Sequence, residues 1–187
     1  MKHFSVLAAL VVMLVTLGYQ AVLGQSPSEF SPYVDEKGNI SIPKDFRSWH
    51  FIGTWAVATD EDDKVGSKGF HSVYTQAETV AAFRSTGKFP DGAVLVKELF
   101  KATTDTMTTG EISYTAETEG WFVMIKDTQG RFKGNGLWGD GWGWALFNVD
   151  DPATTVTEDY KADCIPCHVP AENDDWIYVR GYPELKN

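Results

Sequence analysis

The chain has 187 residues, a formal net charge of −10 and only two cysteines, both in one short motif. An acidic surface argues against nucleic acid and anionic membrane as partners, and suits a small cationic substrate or a basic partner protein. The length suits one domain with a real core once a leader is removed.

Met1-Lys2-His3 gives a short basic start, followed by an apolar run from Phe4 to about Leu17 and small residues at Ala21, Val22 and Gly24. That order predicts a secretory signal over 1–24, with cleavage after Gly24. The run is shorter than the ~20 residues of a spanning helix, so an uncleaved anchor ranks second. No later segment is apolar enough to span a membrane. Residues 25–38 are polar and punctuated by prolines, which predicts a loose N-terminal arm ahead of a domain over 39–187.

Strand signals lie at Phe51–Thr59, Phe70–Tyr74, Ala93–Phe100, Ile112–Thr115, Trp121–Lys126, Gly143–Phe147 and Trp176–Tyr182. These runs are short, rich in Val, Thr and aromatics, and divided by Gly, Asp and Asn. They predict a mainly β fold, an antiparallel sheet with a few short helices. One helix is announced by the capping-box pattern Thr75-Gln76-Ala77-Glu78, with Gly87 as its stop. A second is announced by Thr155-Val156-Thr157-Glu158 and ended by Pro170, and would carry the motif that follows on a C-terminal helix.

That motif is Cys164-Ile165-Pro166-Cys167-His168, the c-type haem attachment pattern. Two thiols three positions apart on a helical turn reach the two vinyl groups on one haem edge, and the adjacent histidine offers a nitrogen to the iron. Three other readings fit less well. A redox CxxC expects a βαβ context, zinc needs further ligands at useful spacing, and a plain disulfide leaves His168 unexplained. Haem attachment also takes place outside the cytoplasm, in keeping with export. The sequence therefore predicts one covalent haem c per chain, held by Cys164 and Cys167 with His168 on the iron.

Only 19 residues follow His168, and none is Met or His. Upstream, His50 and Met124 stand in contexts that suit core packing, while His71 and Met107 could supply a sixth ligand. An open iron that binds a small ligand is the alternative. The four-helix cytochromes c′ also carry a C-terminal CxxCH, but seven Trp, 17 Gly and two helix signals do not suit a bundle. Trp142 and Trp144 share a strand face within GLWGDGWGWALF (136–147), as packing residues or as walls of a haem pocket.

The stretches IPKDFRSWHFIGT (42–54), HSVYTQAETVAAFRSTGKFPDGAVLVKEL (71–99) and CIPCH (164–168) resemble the cytochrome P-460 family, which also contains the β-sheet cytochromes c′-beta. The likeness runs roughly from Ile40 to Pro183. It implies that Lys97 stands where the family carries a lysine bonded to the haem edge. Strand alternation places Lys97 on one face with Leu95 and Leu99, where desolvation favours the neutral, nucleophilic amine. The commoner fate of such a residue is a surface lysine whose stem covers the leucines.

The resemblance further implies a periplasmic enzyme that oxidises hydroxylamine to nitrous or nitric oxide, passes electrons to a partner cytochrome and forms a homodimer. A c′-beta-like nitric oxide-binding protein and a plain electron carrier are the alternatives. It also implies a distal carboxylate from the segment before CxxCH, here Asp159 or Glu158, as proton acceptor. Acids there also serve as ordinary helix-dipole partners. The family often has arginine where His71 stands, which alters the polarity expected of the distal pocket.

Overall fold

The computed structural model describes residues 30–60 and 65–186. The expected signal segment and the first residues of the arm lie outside them. Six strands form one antiparallel sheet in the order β1-β2-β3-β4-β6-β5: β1 (His50–Ala58), β2 (Ser67–Thr75), β3 (Val94–Met107), β4 (Gly110–Lys126), β5 (Trp138–Gly139) and β6 (Trp142–Asn148). The expected strands Ile112–Thr115 and Trp121–Lys126 are one strand, β4. It pairs with β3 from Val94↔Ile125 out to Met107↔Gly110, with a register shift near Phe100.

Both faces of the sheet are covered, and alternation along the strands decides which residue meets which cover. On one face Val73, Leu95, Met124, Trp142 and Trp144 pack against helix α1 (Ala77–Thr86) and the C-terminal segment through Ile177, Tyr182 and Leu185. On the other, Val94, Val96, Val123, Ile125, Ala145 and Phe147 pack against Phe30, Val34, Ile40 and Phe46. A sheet sandwiched in this way needs apolar residues at successive positions, as in Ala93–Val96.

Residues 30–38 are therefore packed rather than loose. Phe30, Ser31 and Val34 are buried, and Phe30 lies 6.3 Å from the Phe132 ring. The polar residues between them shape turns. The Asp35 carboxylate accepts from the Lys37 and Asn39 amides, and Gly38 takes a φ of 84°.

Helix α1 starts one residue later than the capping-box pattern implies. Gln76 is its N-cap, without a side-chain cap bond, and Gly87 closes it in the left-handed conformation. Thr155–Glu158 starts no helix. The next helical turns are α2 (Tyr160–Asp163) and α3 (Ile165–His168), separated at Cys164, which has a φ of −120°. The cap of α2 is Asp159, whose side chain accepts from the Lys161 amide. Trp176–Tyr182 is not a strand either. Asp175 and Trp176 take φ values of 59° and 67°, and Val179–Gly181 is a 3-10 turn. No helix among the described residues is long and apolar enough to cross a membrane.

Candidate functional site

A cavity of about 270 Å³ lies between the sheet and the C-terminal segment. The sheet contributes His71 and Val73 from β2, Leu95 and Lys97 from β3, Phe122 and Met124 from β4, and Trp144 from β6. Cys164, Cys167, His168, Ile177, Tyr178 and Tyr182 close it from the other side. The structure thus brings Lys97 and the whole CxxCH motif to one space, although 66 positions lie between Lys97 and Cys164 in the chain.

Lys97 is half-buried on the strand face that alternation assigns it. Its strand neighbours are Val73 and Phe122, and its ammonium lies 4.3 Å from the Phe122 ring centroid. Among the described residues no carboxylate forms an ion pair with it. Burial lowers its pKa, opposed by the two nearby thiols. Glu98, the next residue, faces the opposite side and is fully buried. There it binds the Arg47 guanidinium and accepts from Trp121 Nε1 at 3.2 Å. One strand thus holds a lysine with no carboxylate partner on one face and a paired glutamate on the other.

His168 is oriented by the backbone. Its Nδ1 lies 2.6 Å from the Trp176 carbonyl oxygen, which can only accept, so Nδ1 carries the proton and Nε2 keeps its lone pair. The ring also stands edge-on to Trp144, with centroids 5.0 Å apart. Burial lowers the His168 pKa, and the Trp176 contact opposes that. Cys164 is buried, which pushes its thiol up to about 11, whereas Cys167 is exposed. The Tyr178 hydroxyl donates to the Cys167 carbonyl.

The remaining expected residues divide. His71 lines the cavity, and burial, with Lys97 nearby, pushes it down to about 4. Glu158 and Asp159 do not line it, and both are exposed. Asp159 is spent on capping α2, and the amides of Glu158 and Asp159 both donate to Asp163 Oδ2. The carboxylate at the cavity is Asp163, one turn further on. Met107 is 51% exposed beside the β3–β4 turn and cannot reach an iron there. Met124 packs in the core as expected, but His50 is exposed and bonds Glu184 instead. Of the two tryptophans, Trp144 walls the cavity, while Trp142 donates its Nε1 to Asp175. Tyr178, Tyr182 and Trp176 had no recognisable signal, because their segment reads as a strand.

A family model described as cytochrome P460 matches residues 43–179. The chain belongs to the cytochrome P460 family. No curated protein matches it. Membership makes the chain a haem cytochrome, and the cavity suits that group. Its walls are mostly apolar, two thiols lie on one side, and an imidazole with a free Nε2 is held by a carbonyl at its other nitrogen. Histidines that bind metals commonly donate their other ring N–H to a carbonyl in this way, which fixes the tautomer and the ring orientation.

Proposed function

We propose that this member of the cytochrome P460 family binds one haem c covalently through Cys164 and Cys167, with His168 Nε2 on the iron, and oxidises hydroxylamine. The observation that carries the reading is the convergence of CxxCH, an oriented His168 and the unpaired Lys97 in one apolar cavity. When bound, the haem iron supplies an open coordination position and takes up electrons from the substrate.

The protein residues do the rest. The Trp176 carbonyl fixes the His168 tautomer and ring plane. Leu95, Val73 and Ile177 exclude water from the space around them. Lys97, kept toward its neutral form by burial, would be the residue that bonds the haem edge; replacing an N–H and a C–H by a C–N bond releases two protons and two electrons, so that bond would need a two-electron oxidant of the peroxide class. Oxidation of hydroxylamine releases protons and calls for a base at the cavity. Asp159 and Glu158 do not reach it, so the role passes to His71. Its depressed pKa keeps it neutral and able to accept. The protein works in the periplasm as a homodimer, after removal of residues 1–24, and hands electrons to a partner cytochrome.

A second reading has its own support. Phe122 and Met124 line the cavity and Asp163 Oδ2 is occupied by two backbone amides, so the pocket also suits a neutral gas such as nitric oxide. Steady-state hydroxylamine oxidation with a dye acceptor separates the two. Sustained turnover supports the enzyme. Tight nitric oxide binding without turnover moves the protein to the gas-binding branch. A low-spin six-coordinate ferric spectrum contradicts both and points to an electron carrier, with His71 the ligand at hand.

A further inference from the structure

The carbonyl that holds His168 belongs to a backbone segment in an uncommon conformation. Asp175 and Trp176 both take left-handed φ values, 59° and 67°. Aspartate visits that region with some ease, but a bulky tryptophan does so rarely and only when its surroundings impose it. Here they do. The Trp176 amide donates to Ala171 O at 2.9 Å and the Ile177 amide to Asp174 O at 3.2 Å. The remaining restraint comes from the sheet. Fully buried Trp142 donates Nε1 to the Asp175 carbonyl at 3.0 Å and to its Oδ1 at 3.2 Å. Lys126, from the last position of β4, binds the same Oδ1 at 2.6 Å, its ammonium 4.8 Å from the Trp142 ring centroid. The Lys126 side chain is only 10% exposed. A lysine this deep is normally paired, and the partner it has is the residue that precedes the His168-binding carbonyl.

From this arrangement the structure assigns Asp175 as a positioning residue for His168, clasped by Lys126 and Trp142 so that the Trp176 carbonyl stays aimed at Nδ1. This rests on the reading that His168 Nε2 holds the iron. A strong hydrogen bond at Nδ1 makes the imidazole a better donor through Nε2. The clasp therefore sets the strength of the iron–histidine bond through residues that do not line the cavity.

Resonance Raman spectra of the ferrous holoprotein test this through the iron–histidine stretch. Asp175→Ala removes the carboxylate that Lys126 and Trp142 hold and leaves only the Trp142 bond to the backbone carbonyl, and Asp175→Gly does the same while also accepting the left-handed backbone without penalty. Both should shift the stretch to lower frequency. Asp175→Asn tolerates the same backbone and keeps an oxygen for Trp142 and Lys126, so it should restore the parent frequency although the charge is gone. Lys126→Met keeps the packing on Trp142 and should shift the stretch in the same direction as Asp175→Ala, by less. Haem content and near-UV circular dichroism establish that each variant is folded. Folded Ala and Gly variants with the parent frequency overturn the positioning role. So does an Asn variant shifted as far as Ala, because charge would then be the cause. Absence of the iron–histidine mode from the parent itself would instead contradict the assignment of His168 to the iron.

Discussion

Besides His168, the basic side chains His71 and Lys97 line the cavity, and both are pushed toward their neutral forms mainly by burial. For His71 the sign is definite. Its folded pKa of about 4 lies below the ordinary 6.5, so between those values the unfolded chain binds the proton first. Stability contributed by neutral His71 is complete above pH 6.5 and is lost as the pH falls toward 4. The same shift predicts the shape of the rate profile. Turnover of hydroxylamine should stay level as the pH drops through 6.5 and decline only near 4, measured as kcat/KM with a dye acceptor. An acid limb at 6.5 would mean that His71 is hydrated and ordinary. His71→Ala should slow turnover by roughly 10²-fold or more, the usual weight of a general base. Asp159→Ala and Glu158→Ala should turn over at the parent rate, because neither side chain lines the cavity. The reverse pattern would return the proton to the carboxylates.

Glycines let the elements around the motif approach closely. A Cβ at Gly136 would meet the Glu158 carbonyl oxygen at 2.3 Å, and the Tyr160 amide donates to Gly136 O at 2.9 Å. A Cβ at Gly143 would likewise lie 2.6 Å from the Trp138 ring. The dense Gly–Trp run is thus a set of notches that seat α2 and the chain entering CxxCH. Gly136→Ala has a backbone atom in its way and should destabilise the holoprotein by about 1–3 kcal/mol, read as a lower midpoint in urea. An unchanged midpoint would show that the chain entry is slack. Strands β1, β2 and β3 and helix α1 with its Gly87 stop were legible because Val-, Thr- and aromatic-rich runs cut by Gly, Asp and Asn, and a glycine stop, are local signals, and strand alternation then gave the face of Lys97. The Thr155–Glu158 box was not, because its threonines serve β6: Thr157 Oγ1 accepts from the Leu146 amide and Thr155 Oγ1 donates to its carbonyl. Trp176–Tyr182 misled for a related reason. Its apolar side chains are core residues, but Asp175 and Trp176 bend the backbone away from any strand partner.

At the scale of the molecule, a two-faced sheet explains where sequence reasoning succeeded and where it stopped. CxxCH, Lys97 and His71 could be named from pattern and resemblance. Their meeting, and the failure of Asp159 and Glu158 to join them, depends on how the C-terminal segment closes over β2, β3, β4 and β6. No local pattern encodes that closure. The formal charge of −10 has a kinetic consequence for the proposed partner. Electron transfer to a basic cytochrome should slow steeply as salt rises above physiological ionic strength, whereas transfer to a small neutral dye should barely change. Equal salt dependence for both acceptors would mean that the acidic surface steers nothing.

Whether one haem is joined to this chain at the cavity residues is answered by peptide mass spectrometry of the purified, exported holoprotein. The expected result is a single haem-bearing species in which the CIPCH peptide, carrying haem on Cys164 and Cys167, is joined through the macrocycle to the peptide that contains Lys97. Lys97→Ala should keep the two thioether bonds and lose the third link together with hydroxylamine oxidation. Free thiols at Cys164 and Cys167 in protein that still binds haem would contradict the account.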